Sequence, residues 1–455
     1  MSHEEKRLPL QQQVRSRSLR APRRHAVPCV RKRRPPVWQT LNPYGQNPQP
    51  LQAQRHALTK KTLKHYIIMY KPHLPNRAVA LFRTLLLLLA LPAAFSSSAQ
   101  SLRNGALWPD DRGQHINAHG GGILLHQGTY YWFGEHKAEH TSSAQVGVTC
   151  YSSTDLLHWH YCGVALSVTD QPSDIERGCI LERPKVIFNP QTQKFCMWFH
   201  LELKGQGYNA ARYGVAEADR PEGPYRFLYS QRADAERWPL EFDAEALATI
   251  DTLSEAGAGK PWSETWRKAV AEGLIVKRDF PHGQMARDMT LFVDDNGSAY
   301  HIYSSEDNLT LHIAELTPDF LHHTGRYTRV APAGHNEAPT LFKHQGTYWM
   351  ITSGCTGWAP NEARMFSAPT IWGPWTQHPN PCRGPQAELT FGSQGTFVLT
   401  IPGNPTPRYV FMADIWQPKH PIDARYLWLP IHFEEGKPVI PYRQEWTTFA
   451  QKTQN

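Results

Sequence analysis

Four stretches of this sequence that resemble buried β-strands open with a carboxylate or an amide. They begin with Glu182, Asp288, Glu337 and Gln394. A carboxylate at the start of a buried strand costs stability unless it is paired. Three carboxylates in corresponding positions, with Arg183 and Arg287 beside them, are consistent with a structural ring of ion pairs. They are also consistent with carboxyl groups that shift one another's pKa, which hydrolysis of a glycosidic bond requires. We favour the second interpretation.

A repeated pattern predicts how these residues meet. An apolar stretch, a polar turn and a second apolar stretch rich in aromatic residues recur at 121–136, 184–201, 289–306, 339–354 and 395–414. The turns carry Gln-Gly, Asn-Pro, Asn-Gly or Pro-Gly, which favour hairpins, and a further strand follows each hairpin. Five four-stranded units predict an all-β fold, a five-bladed β-propeller over residues 101–450. Residues that open the inner strands of a propeller converge at one mouth of the central channel.

One segment interrupts the repeat. Residues 229–280 contain apolar residues at helical spacing within 262–275. We therefore predict a partly helical insertion between blades two and three. Trp262 and Trp266 on this insertion are expected to be core contacts.

The first hundred residues do not share the propeller pattern. Residues 1–68 are rich in Arg, Pro and Gln, which predicts a disordered basic leader or a wrongly assigned start of translation. Residues 69–100 contain scattered basic residues, then an apolar run at 85–95, then small residues, as in a signal peptide. The apolar run is too short to span a bilayer, which needs ~20 residues. We expect a secreted or periplasmic protein with no membrane association after signal cleavage.

The charge distribution argues against a nucleic-acid partner. Residues 1–100 hold 18 of the 48 basic residues and two of the 40 acidic ones. The remainder carries 30 basic and 38 acidic residues, so the predicted propeller is mildly acidic. A basic groove for phosphate groups is therefore not expected.

Cysteine and histidine spacing does not indicate a metal site. Six cysteines follow the leader, without a CxxC pair, and they are either free or paired in a way that spacing cannot decide. Five histidines fall within 115–140, but none has the spacing of a zinc site. We therefore predict no catalytic metal, with His119 as the histidine nearest the channel.

Several stretches together resemble glycoside hydrolase family 43, most closely its branch of exo-β-1,3-galactanases. They are AHGGGI (118–123), YYWFGEHK (130–137), ERPKVIFN (182–189), ARDMTLFVDDNGSAY (286–300), EAPTLFKHQGTYWMITS (337–353) and TGWAPN (356–361). The resemblance covers about residues 103–445. It implies a five-bladed propeller and an exo-acting, inverting hydrolase.

The resemblance also implies catalytic roles. Glu337 matches the general acid, and Asp288 matches the residue that raises the pKa of the acid and orients it. The usual general base of the family is an Asp that opens blade one, where this chain has AHGGGI. In the galactanase branch a Gln that opens blade five is thought to hold the attacking water through its imidic-acid form, and Gln394 matches it.

Further residues match substrate contacts of the branch. They are Glu135, Glu182, Tyr208, Thr356 and Trp358, of which Tyr208 lies in a stretch that matches less cleanly. The resemblance implies that no cofactor is required. Many members hold a calcium ion or a water in the channel, and the sequence leaves that question open.

These observations lead to an expected function and two alternatives. We expect an exported hydrolase that releases galactose from β-1,3-galactan or arabinogalactan-type polysaccharide, so that its partner is an oligo- or polysaccharide. The alternatives are an α-L-arabinofuranosidase and a carbohydrate-binding propeller without activity. An intact Glu337 and Asp288 argue against the latter, because simple binding requires no acid with a raised pKa.

Overall fold

The structure is a computed structural model and describes residues 101–447. The predicted leader (1–68) and signal peptide (69–100) lie outside the described residues. Within 101–447, five sheets of four or five strands account for most of the chain, as the predicted propeller requires. The inner strand of each sheet contacts the inner strands of its two neighbours, and the fifth contacts the first, which closes the ring. The predicted five-bladed β-propeller is thereby confirmed.

The first four blades are antiparallel sheets built from strands in chain order, and blade five has an additional outer strand that pairs in parallel. A short strand β1 (Leu102–Arg103) precedes blade one, which contains β2 (His119–His126), β3 (Thr129–Glu135), β4 (Gly147–Ser153) and β5 (His160–Ser167). Blade two contains β6 (Ile180–Asn189), β7 (Lys194–Glu202), β8 (Arg212–Ala218) and β9 (Arg226–Gln231). Blade three contains β10 (Met289–Val293), β11 (Ala299–Ser305), β12 (Thr310–Leu316) and β13 (His323–Val330). All five predicted hairpins lie in the blades at the predicted positions.

The last two blades complete the ring. Blade four contains β14 (Asn336–His344), β15 (Thr347–Gly354), β16 (Ala363–Ala368) and β17 (Thr376–His378). Blade five contains β18 (Cys382–Arg383), β19 (Gln394–Ile401), β20 (Arg408–Ile415), β21 (Arg425–Glu434) and β22 (Lys437–Pro441). A final strand β23 (Glu445–Trp446) pairs with β1, so the two ends of the described chain meet. A buried cluster that includes Trp132 and Trp428 fills the seam between blades one and five.

Four of the five inner strands have an irregularity near their starts, and β10 of blade three does not. The pairing register shifts between His119 and Gly122, between Glu182 and Lys185, between Glu337 and Thr340, and between Gly395 and Phe397. In three of these bulges the second residue has a left-handed backbone, with φ of +62° at Gly120, 56° at Arg183 and 52° at Ala338. A β-bulge bends a strand and re-aims its side chains. Here the bulges turn the strand-opening residues into the channel mouth.

The insertion between blades two and three is helical in part, as predicted. It contains α1 (Ala244–Thr252), α2 (Glu264–Ala271) and α3 (Leu274–Asp279). Asp243 caps α1 and Ser263 caps α2, each by accepting from backbone N–H groups of the first turn. The expectation for Trp262 is wrong, because its side chain is 49% exposed. Trp262 precedes the cap of α2, and its ring lies on Trp266 and His335 instead of entering the core.

Two further features can be stated for the described residues. Between 101 and 447, all six cysteines are free thiols. No helix in this part of the chain is long and apolar enough to cross a membrane.

Candidate active site

A cavity of about 230 Å³ lies where the inner strands begin. Seven of the eight predicted site residues line it, namely Glu135, Glu182, Tyr208, Asp288, Glu337, Trp358 and Gln394. They come from all five blades and the connecting segments, so the convergence expected of a propeller occurs. Thr356 is not among the lining residues. Its hydroxyl donates to the Ala359 carbonyl at 2.6 Å and accepts from Asn361 at 2.7 Å, and a contact with sugar stays a prediction.

Glu337 has the electrostatics of an acid that is protonated near neutral pH. Burial and the neighbouring Asp288 carboxylate raise the pKa of Glu337 to about 7. The Arg183 guanidinium opposes this shift, and so does a hydrogen bond from the Gln394 amide, whose Nε2 is 2.9 Å from Glu337 Oε1. A carboxyl group with this pKa can give up a proton to a leaving group at physiological pH.

Gln394 makes four hydrogen bonds within the protein. Its amide nitrogen donates to Glu337 and, at 3.0 Å, to Ser353 Oγ. Its carbonyl oxygen accepts from Arg183 Nη2 at 2.5 Å and from Trp416 Nε1 at 3.0 Å. Both partners of the oxygen are donors only, so the orientation of the amide is determined.

The contact between Gln394 and Glu337 differs from the separation expected of an inverting pair, which is ~6.5–9.5 Å. The two residues open the inner strands of neighbouring blades, β14 and β19, and their side chains meet directly across the channel mouth. A sugar that enters between them has to replace this hydrogen bond.

Glu182 lies in a different electrostatic environment from Glu337. His200 Nδ1 is 3.2 Å from Glu182 Oε2, and the Tyr208 hydroxyl donates to Glu182 Oε1 at 2.9 Å. Burial alone would raise the pKa of Glu182, but the bond from His200 and the charge of Lys137 lower it to about 2. His200 also contacts Glu202 at 3.0 Å, and against the effect of burial the two carboxylates raise the pKa of His200 to about 9. Glu182 is therefore an ionised carboxylate beside an imidazolium.

Glu135 depends on two neighbours in blade one. Its carboxylate forms an ion pair with the buried ammonium of Lys137. Burial raises the pKa of Glu135 and Lys137 opposes this shift. Gly120 makes room for the carboxylate, because a Cβ at that position would overlap Glu135 Oε1. The glycines of AHGGGI thus let the Glu135 side chain occupy the entrance of blade one.

Arg183 links the blades around the cavity. Its guanidinium contacts Asp288 at 2.9 Å and donates to the Gly395 carbonyl at 2.8 Å, while its backbone N–H donates to Glu135 at 3.1 Å. Arg287 donates to the Tyr208 carbonyl at 2.8 Å. The ion-pair interpretation of the sequence is therefore correct for Arg183 and Asp288, and these ion pairs lie inside the candidate active site.

A buried lysine, Lys185, lies on the inner strand of blade two, three residues after Glu182. Lys185 Nζ donates to the Gly120 carbonyl at 2.9 Å and to the Arg183 carbonyl at 3.3 Å. Burial and the charge of Arg183 lower the pKa of Lys185 to about 7. Its amino group thus occupies the backbone oxygens that a cation in this part of the channel could use.

Metal ligation is disfavoured at the one described group whose geometry would permit it. Glu182, His200 and Asp288 each offer an atom within 4.8 Å of the others. His200, however, lies between Glu182 and Glu202, whose carboxylates raise its pKa to about 9, so a metal would have to displace a proton from it. His119 is fully buried against Tyr426, with Asp414 3.7 Å from its Nδ1.

Sequence reasoning missed five lining residues, which are Lys137, His200, Asn308, Gly357 and Trp416. A signal for His200 was present, because His200 and Glu202 alternate within an otherwise apolar strand and so share one face. Trp416 contacts Trp358 at 5.6 Å between ring centroids and forms an aromatic wall of the cavity with it. Such a wall can lie against the apolar face of a sugar.

Comparisons with known proteins agree with this geometry. Residues 253–404 match the family model for glycosyl hydrolases family 43. A solved β-1,3-galactosidase of this family, in complex with galactodeoxynojirimycin, is 53% identical, with a TM-score of 0.74 over 76% of this chain and 100% of that chain. A comparison with curated protein sequences gave no match.

Two solved exo-β-1,3-galactanases are more distant. The enzyme from Clostridium thermocellum is 32% identical, with a TM-score of 0.62 over 77% of this chain and 67% of that chain. The enzyme from Phanerochaete chrysosporium, in complex with β-1,3-galactotriose, is 31% identical, with a TM-score of 0.60 over 76% of this chain and 68% of that chain.

Proposed function

The chain belongs to glycoside hydrolase family 43, and from this premise we propose that it removes galactose from the ends of β-1,3-linked galactan with inversion of configuration. The observation that carries the proposal is the pairing of Glu337 with Asp288 inside a cavity lined by carboxylates and indoles. The solved relatives are β-1,3-galactosidases and exo-β-1,3-galactanases, which supports galactose as the sugar.

Exo action is supported by the shape of the site. The cavity of about 230 Å³ lies where the inner strands begin. A cavity of this size has room for the end of a polysaccharide and not for a long stretch of it. Glu135 and the ionised Glu182 can accept hydrogen bonds from the hydroxyl groups of the terminal sugar. Trp358 and Trp416 can lie against its apolar face.

The leaving group requires a proton, and Glu337 is the proposed donor. Asp288 keeps this proton on Glu337 near neutral pH by charge repulsion, while its own ion pair with Arg183 holds it in place. As the glycosidic bond breaks, the proton moves from Glu337 to the leaving oxygen, and Glu337 becomes a carboxylate stabilised by the charge of Arg183.

The attacking water needs a partner on the other side of the sugar. We assign this role to Gln394, whose nitrogen can hold a water once the substrate has displaced its contact with Glu337 and, in the imidic-acid form, can take the proton that the water loses as it attacks. Glu182 is the alternative partner, because it is the ionised carboxylate of the cavity. Gln394→Ala distinguishes the two: loss of kcat by about 100-fold supports Gln394, and a raised KM with unchanged kcat supports Glu182.

The experiment that tests the function uses the purified protein and a small set of glycosides. We expect release of galactose from β-1,3-galactobiose and β-1,3-galactotriose, with α-galactose as the first product seen by proton NMR. Activity confined to an aryl α-L-arabinofuranoside would support the alternative specificity. Absence of hydrolysis with retained sugar binding would support a binding module. A first product in the β configuration would overturn the inverting mechanism.

Export through the predicted signal peptide at 69–100 is part of the same proposal. An enzyme that acts on a polysaccharide has to reach its substrate outside the cytoplasm, either outside the cell or in the periplasm. The N-terminal residue of the protein recovered outside the cell tests this, and a residue within 1–68 would contradict it.

A further inference from the structure

A four-residue turn contacts the helical insertion on one side and Glu337, the candidate acid, on the other. It runs over 306–309, between β11 and β12, and three consecutive residues in it have left-handed backbones. The φ angles are 52° at Glu306, 57° at Asp307 and 64° at Asn308. Left-handed backbone is unfavourable for most residues other than glycine, although Asp and Asn tolerate it, so the strain lies mainly at Glu306; such strain persists only where the surroundings enforce it. The residues around this turn must therefore hold its backbone in place.

Three of the four side chains of the turn are held by contacts with the insertion or with Arg329 of β13. Asp307 accepts from Arg278 of α3 at 2.7 Å. Leu309 packs on Val270 and Ile275 of the insertion. Glu306 is fully buried and is held by Arg329.

Arg329 of β13 joins the turn to the end of α2. It donates to both oxygens of Glu306, at 2.7 and 2.8 Å, and to the carbonyls of Ala271 and Val270 at 2.9 and 2.8 Å. His312 adds a contact to Glu306 at 2.9 Å. The N–H groups of the Arg329 guanidinium are thus shared between Glu306 of the turn and the carbonyls at the end of α2.

Asn308 is the remaining residue, and it lines the active-site cavity. Its Nδ2 is 3.5 Å from Glu337 Oε2, the oxygen opposite the one that Gln394 contacts. Its Oδ1 is 3.1 Å from the Ser304 hydroxyl, which places the amide nitrogen on the side of Glu337. A small rotation of the turn would change the distance between Asn308 and Glu337.

We propose that the insertion positions the active site, with Arg278 and Arg329 holding the 306–308 turn so that Asn308 stays beside Glu337. Arg278 and Asp307 are positioning residues, since they act through Asn308. This inference rests on the proposed role of Glu337 as the acid. It gives the insertion a role in catalysis that its distance along the chain from Glu337 does not suggest.

The proposal predicts an effect on the titration of the acid. The groups that face Glu337 are Asp288 of blade three, Arg183 of blade two, Gln394 of blade five, Cys355 after β15, and Asn308. An N–H donor beside a carboxylate favours its ionised form, so withdrawal of Asn308 raises the pKa of Glu337. The alkaline limb of kcat/KM then moves to higher pH, which a loss of stability alone would not cause.

Asp307→Asn is the principal variant, because Asn tolerates left-handed backbone well and removes only the ion pair with Arg278. We expect kcat to fall by about 10-fold with little change in KM, since small displacements of catalytic groups are costly. Arg278→Ala should lower kcat at least as much, because it also removes the two bonds of Arg278 to buried Asp279 at 2.9 Å, and the double variant should be no worse than Arg278→Ala alone. Arg326→Ala is the matched control: it removes an ion pair with Glu315 at 3.0 Å in the same blade, and we expect activity within twofold of the original chain.

The measurement is the pH profile of kcat/KM on the best substrate of the original chain. If that chain does not hydrolyse β-1,3-galactobiose but cleaves another glycoside, the proposed substrate is wrong and the positioning test continues on that glycoside. Asp307→Asn with the same kcat and pH profile as Arg326→Ala would overturn the inference. Lower kcat with an unmoved alkaline limb would also overturn it, because the loss would then be structural only.

Discussion

Glu337 and Glu182 open the inner strands of blades four and two, precede the same kind of β-bulge and line the same cavity. Their pKa values nevertheless move in opposite directions, to about 7 for Glu337 and to about 2 for Glu182. Burial raises both values. The difference comes from the neighbours, since Glu337 faces the Asp288 carboxylate and Glu182 faces His200 and Lys137.

This contrast shows that the position of each carboxyl group and its protonation state are determined by different parts of the fold. The bulge brings a carboxyl group to the channel mouth in both blades, and residues from other blades then determine whether it holds a proton. Asp288 belongs to blade three, while His200 belongs to β7, the second strand of blade two. A pair of carboxyl groups with separated pKa values is the arrangement that distinguishes an acid from an ionised partner.

The largest effect is expected from Glu337→Gln compared with Glu182→Gln. Glu337→Gln should lower kcat by about 10²–10⁴-fold, because the leaving oxygen is no longer protonated. The loss should be smaller for an aryl galactoside whose leaving group needs no proton. Glu182→Gln should mainly raise KM. Steady-state kinetics on both substrates check this, and an equal loss of kcat on the two substrates with Glu337→Gln would contradict the acid role.

A smaller effect, about 100-fold at pH 7, is expected from Asp288→Asn. Removal of the carboxylate leaves Glu337 beside Arg183 without its negative neighbour, so the pKa of Glu337 falls and the acid is ionised at pH 7. Activity should therefore recover in part as the pH is lowered towards 5. The pH profile of kcat/KM measures this shift. If the alkaline limb stays in place, Asp288 does not act on the charge of Glu337.

The smallest effect, about 10-fold in KM, is expected from His200→Gln. Loss of the imidazolium removes the main group that lowers the pKa of Glu182. In the original chain, the stability contributed by ionised Glu182 is present above its unfolded pKa and is lost as pH falls towards about 2. In the variant this loss should begin at higher pH, which thermal unfolding between pH 3 and 6 would detect. The alkaline limb of kcat/KM, which belongs to Glu337, should not move.

Residues that open inner strands could be predicted from the sequence because the propeller repeat fixes where those strands begin. Glu182, Asp288, Glu337 and Gln394 follow from that repeat alone. The distribution of charge among them could not be predicted, since it depends on side chains from other strands. His200 lies in the middle of an apolar strand, and Asn308 lies in a turn whose strained backbone has no glycine to mark it.

The contacts of the insertion could likewise not be predicted from the sequence. Helical spacing predicted its helices, but the spacing does not indicate which residues contact the propeller. Nothing in the sequence distinguishes Arg278 and Arg329 from other charged residues. In the structure, the side chains of both donate to residues of the turn that carries Asn308. Trp262 was expected in the core because it belongs to the stretch with helical apolar spacing, and its place before the cap of α2 leaves it half exposed.

The close approach of Glu135 to Gly120 has a consequence for how such sites can change over time or be redesigned. A side chain at position 120 would overlap Glu135 Oε1, so a residue other than glycine there requires the Glu135 carboxylate to move from its place beside Lys137. The left-handed backbone of Gly120, with φ of +62°, adds a second cost to such a change. A designer who wishes to install an aspartate at position 120 should therefore redesign Glu135 at the same time.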